Sequence, residues 1–477
     1  MKKTKIVCTL GPASSSEDVL SEMLMCGMNV ARFNFSHGTH AYHKELMDRF
    51  KQVRDKLGVP AAIMLDTKGP EIRLGEFEGG KATLVDGDEF ILTTEEVLGT
   101  AQRASVTYNQ LPQKLSRDNH ILIDDGRISL SVHRRTQTEI FCTVEKGGEI
   151  SDHKGVNIPS VSIGMPYLSE KDKADLLFGI ENDVDFIAAS FIRNREDVEL
   201  LRNFLKRNGG EKIRIISKIE NFEGIQNFDA ILEASDGIMV ARGDMGVEIN
   251  YENLPGLQKK FIKRCYQAGK MVITATQMLE SMINNPTPTR AEISDVANAV
   301  FDGTSAVMLS GESAVGLYPA RTVEVMARIA EKAEADSLET EWSGYQNYRH
   351  DIDYSDITNA ISDATCTTAL DIRAKAIIVV TQTGNSARKV SKFRPTTPII
   401  AATPERKTFH QLSLSWGVYP VISSFQSTTD ALFHEAVTCA KNTGLVGDGD
   451  RVVITSGVPL GVSGGTNTMK VQIIGEE

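Results

Sequence analysis

The chain has 477 residues, 41% hydrophobic and 24% charged, a composition of folded globular domains that excludes wholesale disorder; the length fits about three domains. Its 52 basic and 63 acidic side chains give a net charge of −11, which argues against nucleic acid as the main partner, because phosphate-backbone binding draws on clustered positive charge. Small anionic substrates need only a local pocket of cations and stay open.

Met1-Lys2-Lys3 imitates the basic start of a signal peptide, but Ile6–Leu10 is too short an apolar stretch before Gly11-Pro12. No later run approaches the ~18 apolar residues of a membrane span. Six dispersed cysteines without a Cys-x-x-Cys pair argue against a disulfide framework or a zinc site and point to the reducing cytoplasm.

Short apolar runs alternate with amphipathic stretches, the pattern of a parallel α/β fold. Strand-like runs occur at Lys5–Leu10, Val30–Phe35, Ala62–Asp66, Phe186–Phe191, Arg214–Ile219, Gly237–Ala241, Met271–Ala275 and Ala306–Leu309. Helical patterns follow them, the first capped by the cluster Ser14, Ser15, Ser16. Eight such units predict a (β/α)8 barrel, with functional side chains at the carboxyl ends of the strands.

The third unit is interrupted. Its helix is expected only at about 169–183, and the intervening pattern switches to period two, as in Ile128, Leu130, Val132 and Ile140, Cys142, Val144. Turn pairs punctuate it at Gly79-Gly80, Asp86-Gly87, Asp125-Gly126 and Gly147-Gly148. We read 70–164 as an inserted all-β domain that opens on the catalytic face and can act as a lid. The barrel then comprises 1–69 and 165–341, and 342–477 forms a C-terminal α/β domain. Trp342 to Asp353 reads as a linker, followed by a helix over 357–370 and strands at Ala376–Val380, Ile399–Ala402, Val418–Ile422, Val452–Thr455 and Val471–Ile474.

Residues two apart on a strand face the same way. This places together Arg32, Asn34 and Ser36 at the second strand end and Lys218 and Glu220 at the fifth, while the third contributes Asp66 and Thr67. The same spacing pairs Arg242 with Asp244, Thr274 with Thr276 and Ser310 with Glu312 at the last three. Singly, each has an ordinary reading: a solvated ion pair, a turn at Arg242-Gly243-Asp244, a helix cap at Thr276. Together they put polar groups on six of eight strand ends, and so many unpaired charges are not buried without a ligand to satisfy them.

Glu220 and Asp244 are hard oxygen donors with no His or Cys beside them, suiting Mg²⁺ or Mn²⁺. Arg32, Arg73 and Lys218 can neutralise a transferring phosphoryl group. No phosphate-binding G-x-x-x-x-G-K-[ST] loop or protein-kinase glycine loop is present. The residues alone reach Mg²⁺-dependent phosphoryl or enolate chemistry on a small anion.

The runs Ile215-Ile216-Ser217-Lys218-Ile219-Glu220-Asn221, Arg32-Phe33-Asn34-Phe35-Ser36-His37-Gly38, Leu65-Asp66-Thr67-Lys68-Gly69-Pro70-Glu71-Ile72-Arg73, Ala241-Arg242-Gly243-Asp244, Thr274-Ala275-Thr276-Gln277 and Leu309-Ser310-Gly311-Glu312 resemble the pyruvate kinase family, in its order and end to end. The resemblance implies phosphoryl transfer from phosphoenolpyruvate to ADP, giving pyruvate and ATP. It implies Glu220 and Asp244 as Mg²⁺ ligands and Lys218 as the cation acting on phosphoryl and enolate. Arg32 and Arg73 would hold phosphate oxygens, and the Gly243 N–H the substrate carboxylate. Thr276 would lie where the enolate is protonated, with Ser310 further along that proton path. Asn34, Ser36, Asp66 and the Thr67 carbonyl match the family's K⁺ site, and Glu71 marks the K⁺-requiring kind. Asn34, Ser36, His37, Arg73 and Lys154 match the nucleotide contacts; Ser160 departs from a common glycine.

In the C-terminal part, Thr381, Thr383, Gly384, Asn385 and Ser386 lie between a strand and a helix, where backbone N–H groups can meet an anion. The run 461–466, including Gly464, is a second glycine-rich loop. These read either as ordinary loops or, by resemblance, as an allosteric site for a sugar phosphate or AMP. The family's pattern implies a cytoplasmic homotetramer, here of the bacterial type without an extra C-terminal domain. Two other readings remain at this stage: a metal-dependent barrel lyase forming a pyruvate enolate, and a sugar-phosphate sensor without catalysis.

Overall fold

The computed structural model describes residues 2–339, 352–459 and 465–476. The linker expected over 342–353, apart from its last two residues, and Gly464 lie outside them. Eight strands, β1 (Lys5–Thr9), β2 (Val30–Asn34), β3 (Ala62–Asp66), β4 (Phe186–Ala189), β5 (Arg214–Ile219), β6 (Gly237–Ala241), β7 (Met271–Ala275) and β8 (Ala306–Leu309), close into an all-parallel barrel in the order β1-β8-β7-β6-β5-β4-β3-β2.

Nearly every strand residue is buried, because one face fills the barrel and the other meets the surrounding helices. Val7, Val30, Met64, Ala188, Ile216, Met239, Ile273 and Met308 pack together inside; their sequence neighbours such as Ile6, Ala31, Phe33, Ile63 and Ile215 pack outward. Two residues past each inner apolar position the chain reaches the mouth, which is why Thr9, Arg32, Asp66, Ser190 and Lys218 share one end.

The helices follow the local signals. Ser16 accepts a hydrogen bond from the Val19 N–H and caps Glu17–Met25. Ser169 and Asp172 form a capping box that starts Glu170–Glu181.

Between β3 and that helix lies a seven-stranded sheet in the order 72–73, 155–157, 120–123, 128–135, 139–146, 89–93, 103–105, beside a two-stranded ribbon of 81–84 and 148–151. Leu74, Phe90, Leu92, Ile121, Leu130 and Cys142 belong to a core of its own. Where an all-β insert is expected, the chain also makes one helical turn, Leu111–Lys114, with Pro112 in the first turn where its missing N–H costs nothing.

The C-terminal part is a five-stranded sheet, β9 (Ala376–Val380), β10 (Ile399–Thr403), β11 (Val418–Ile422), β12 (Arg451–Ser456) and β13 (Thr468–Ile473), in the order β11-β10-β9-β12-β13 with only β13 antiparallel. The last strand starts three residues before the expected apolar run, and none of its residues is fully buried. Apolar clusters cover both faces of the sheet.

The C-terminal part also closes the barrel floor. Leu414 is fully buried among the barrel-interior side chains. Lys5, at the amino end of β1, donates to the Val418 carbonyl at 2.7 Å and lies 4.9 Å from the centre of the Tyr419 ring. Burial, reinforced by repulsion from Lys2, presses the Lys5 pKa down to about 7 from 10.5. Between those values the unfolded chain binds the proton that the folded chain rejects, so stability rises with pH across that window. Lys5→Met is expected to flatten that rise: its urea midpoint should exceed the parent's at pH 7, and the gap should shrink by about 1–3 kcal/mol at pH 9.5.

Candidate active site

At the barrel mouth, four charged side chains from three strands form one connected chain. Arg32 Nε donates to Asp66 Oδ2 at 2.7 Å, Lys218 Nζ lies 3.0 Å from Asp66 Oδ1, and the same ammonium lies 2.9 Å from Glu220 Oε1. All four residues are buried. Burial disfavours the Asp66 carboxylate, but Arg32 and Lys218 overcome this and hold its pKa below the usual range. Burial likewise disfavours the Lys218 ammonium, and Asp66 with Glu220 more than offsets it, raising its pKa. Lys218 is therefore a fixed cation, not a base.

Glu220 behaves in the opposite way. Burial, then the nearby Asp244 and Asp66, push its carboxyl upward despite Lys218 and the Phe191 N–H that donates to Oε2 at 2.6 Å. A carboxylate so placed beside a second one has excess negative charge that a divalent cation would relieve. Among the described residues no three His, Cys, Asp or Glu side chains gather at one point. Glu220 and Asp244 thus fit an ion that takes its remaining ligands from substrate and water, the habit of Mg²⁺. For a monovalent ion, the Asn34 amide, the Ser36 hydroxyl, the Thr67 carbonyl and Asp66 offer oxygen donors with one net charge. Asn34 Oδ1 already accepts the Ser36 N–H at 3.1 Å, and Asp66 is shared with two cations.

Three of the strand-end pairs read from period two do not form, because the chain leaves strand geometry there. Arg242 opens the helix Arg242–Glu248 and turns away from Asp244. It donates to the Thr276 and Gln277 carbonyls at 2.6 and 2.9 Å and pairs with Asp295 at 2.7 Å. Thr276 follows β7 with φ +66° and Gln277 with φ +54°, so Thr276 no longer shares a face with Thr274, whose hydroxyl meets Thr304 at 2.9 Å. Thr276 caps no helix: its Oγ1 accepts the Gly243 N–H at 2.8 Å, occupying the donor that the resemblance assigns to a substrate carboxylate. Ser310 precedes the one-turn helix Gly311–Ala314, and buried Glu312 accepts the Ser310 and Leu279 N–H groups at 2.7 and 3.2 Å. Glu312 is therefore a brace for two loops.

A cleft of about 330 Å³ opens between the inserted sheet and the barrel, lined among others by Arg73, Asp124 and Lys154 on one side and Asn221, Asp244 and Glu248 on the other. Arg73 pairs with Glu71 at 2.6 Å and donates to the His153 carbonyl at 2.8 Å. Lys154 Nζ lies 2.8 Å from Asp124 Oδ1. Direct bonds cross the cleft, from Asn157 Nδ2 to Glu248 Oε1 at 3.0 Å and from Ser162 Oγ to Glu223 Oε1 at 2.9 Å. His37 is exposed and does not line this cleft; its carbonyl is bonded to His43 Nε2 at 2.8 Å. Thr381, Thr383, Asn385 and Ser386 are elsewhere, around a second cavity of about 440 Å³ in the C-terminal part.

Two residues of the mouth escape the sequence reading. Ser190 Oγ accepts from Lys218 Nζ at 2.8 Å and donates to the Thr67 carbonyl at 2.6 Å. Thr9 Oγ1 accepts from Arg32 Nη1 at 2.8 Å. Both continue the inward period of their strands, after Ala188 and Val7, but a lone hydroxyl in an apolar run carries no distinctive signal.

No described helix is long and apolar enough to cross a membrane. The family model described as pyruvate kinase, barrel domain, matches residues 1–323, and that described as pyruvate kinase, alpha/beta domain, matches 359–472. The chain is 51% identical to a pyruvate kinase of Clostridium acetobutylicum over 99% of this chain and all of that protein. It is 49% identical to one of Staphylococcus haemolyticus, over the whole of this chain and 81% of that one. A crystal structure of a pyruvate kinase from Cryptosporidium parvum superposes with a TM-score of 0.92 at 39% identity, covering 99% of this chain and 96% of the other. With the barrel, the mouth and the full length of the sequence all in accord, the chain belongs to the pyruvate kinase family.

Proposed function

We propose that the barrel mouth carries out the family's reaction, phosphoryl transfer from phosphoenolpyruvate to ADP, with Lys218 as its central cation. The observation that supports this most is the burial of Lys218 between Asp66 and Glu220, which keeps one positive charge where a phosphoryl group changes partners. Fixed charge aimed at charge that develops in flight lowers the barrier with no reorganisation. Arg32, with two of its nitrogens tied to Asp66 and Thr9, presents its third to a phosphate oxygen. Arg73, on the insert, meets the phosphates from the other side of the cleft. Thr276 hands a proton to the enolate carbon, with Ser310 behind it. Gly243 offers its N–H to the substrate carboxylate by exchanging it from Thr276.

The family's reaction needs metal ions. Glu220 and Asp244 would hold Mg²⁺ or Mn²⁺, which supplies charge neutralisation for the substrate oxygens. Asn34, Ser36, Asp66 and the Thr67 carbonyl would hold K⁺. Asn34, Ser36, His37, Arg73 and Lys154 bind the nucleotide, and closure of the 70–164 lid frees Lys154 from Asp124 and excludes water. The loop Thr381–Ser386 forms an effector site for a phosphorylated ligand, and the active enzyme is a cytoplasmic homotetramer.

The test is pyruvate formation from phosphoenolpyruvate with Mg²⁺ and K⁺, with and without ADP. Pyruvate is expected only with ADP and in equal amount with ATP. Formation independent of ADP would overturn transfer in favour of lyase or hydrolytic chemistry, and none under any salt would leave only a sensor.

A further inference from the structure

Both ends of the 70–164 insert return to one turn, at Ser190 and Phe191 just past β4. On the way in, Gly69 takes a φ of +73°. A Cβ there would lie 2.9 Å from the Ser190 carbonyl oxygen and 3.0 Å from the Ser190 Cβ, so only glycine lets the entering strand approach this closely. On the way out, the buried Tyr167 donates its hydroxyl to the same Ser190 carbonyl at 3.2 Å. The turn they grip is itself left-handed, Phe191 having a φ of +54°, a conformation that a bulky residue keeps only where its surroundings impose it.

One carboxylate then ties the two ends to each other. Asp172 is buried and accepts the Ser169 N–H and hydroxyl through Oδ2, at 3.1 and 2.5 Å. That is the capping box of the helix Glu170–Glu181, and it occupies one oxygen. The other, Oδ1, accepts the Gly69 N–H at 3.1 Å, from 103 positions earlier in the chain. The helix is in turn fixed to the end of β2: Lys171 donates to the Phe35 carbonyl at 2.9 Å, and Asp175 pairs with Lys171 and His40 at 2.6 and 2.7 Å. The post that holds both linkers therefore belongs to the barrel rather than to the insert.

From this grip the reacting groups are one step away. Ser190 Oγ accepts from Lys218 at 2.8 Å and donates to the Thr67 carbonyl at 2.6 Å, while the Phe191 N–H holds Glu220. A shift of the turn would carry the ammonium and the carboxylate with it. Rotation of the insert about fixed roots leaves both in place.

We propose that Asp172 and Tyr167 are positioning residues that fasten both roots of the insert to the Ser190–Phe191 turn, so that the lid moves without disturbing Lys218 and Glu220. This assignment rests on the lid and the reaction proposed above and names the residues that fix the lid's axis.

Two variants that both damage the helix cap separate the clasp from the scaffold. Ser169→Ala removes the capping hydroxyl and keeps the bond from Asp172 to Gly69, whereas Asp172→Ala removes both. Each should lower the melting temperature. Asp172→Ala should also lower kcat about tenfold or more, with KM for phosphoenolpyruvate changed less than about threefold, because displaced reacting groups weaken the transition state more than the bound substrate. Ser169→Ala should keep kcat within about twofold of the parent. Equal kinetic losses in the two variants, a loss confined to KM, or parental kcat in Asp172→Ala would overturn the proposal. Tyr167→Phe loses a single hydroxyl, carries the test if Asp172→Ala fails to fold, and should lower kcat about threefold or more; parental turnover would remove Tyr167 from the clasp. Amide hydrogen exchange in the ligand-free protein reads the clasp without turnover. Exchange across 67–75 and 186–192 should quicken about tenfold in Asp172→Ala and stay parental in Ser169→Ala. Parental exchange in both would refute the clasp whatever the activity, and quickened exchange in a protein that makes no pyruvate would retire the reaction while leaving the clasp.

Discussion

Lys218→Met is expected to lower kcat by about 10³-fold or more, since removing a single preorganised donor at a developing charge already costs on the order of 10²–10³ and Lys218 carries a full charge. The ammonium is held on three sides, by Asp66, Glu220 and Ser190, so no other side chain can swing into its place. Methionine keeps the length and apolar stem and removes only the charge. Divalent-ion affinity should be retained or rise, because Glu220 loses a competing cation; Mn²⁺ titration followed by electron paramagnetic resonance measures this. The contrast separates transition-state stabilisation from metal binding. Turnover near the parent's would remove Lys218 from the reaction.

The second large effect concerns the monovalent ion. In buffer with Na⁺ as the only monovalent cation, the parent should lose turnover by on the order of tenfold or more relative to K⁺, and Glu71→Lys should recover much of it. Glu71 sits at the cleft and its carboxylate is paired with Arg73 at 2.6 Å. Lysine there brings a cation to the cleft in place of a dissolved one and at the same time releases Arg73. Initial rates across a K⁺ titration, at saturating phosphoenolpyruvate and ADP, measure both. Equal rates in Na⁺ and K⁺ for the parent would dispose of the monovalent site.

The barrel could be read from sequence because its strands are buried on both faces, and short apolar runs such as Ala62–Asp66 and Gly237–Ala241 stand out with sharp ends. Residues still on a strand, Arg32, Asp66, Lys218, or one step beyond it, Glu220, converge as period two requires. Where the backbone turns immediately after the strand, that rule stops working. The left-handed Thr276 and Gln277, the helix that starts at Arg242 and the turn at Ser310 each rotate a side chain in a way no spacing encodes. The family motifs could mark these residues, though not what they touch: Arg242, placed beside Asp244 in the motif, holds the Thr276 turn instead. Thr9 and Ser190 were invisible for a different reason, since small hydroxyls are common in buried strands and announce themselves only through partners brought from other strands.

The position of Leu414 has a consequence for how the molecule can be divided. Its side chain corks the bottom of the barrel, stacked against interior residues of the catalytic half, although more than a hundred positions separate it from the last barrel strand. A fragment ending near residue 340 would keep every reactive group and yet have a hole in its floor, with the Lys5 amine stripped of its Val418 acceptor. Cutting the C-terminal part away therefore does not isolate the barrel; it removes a piece of the barrel's own interior.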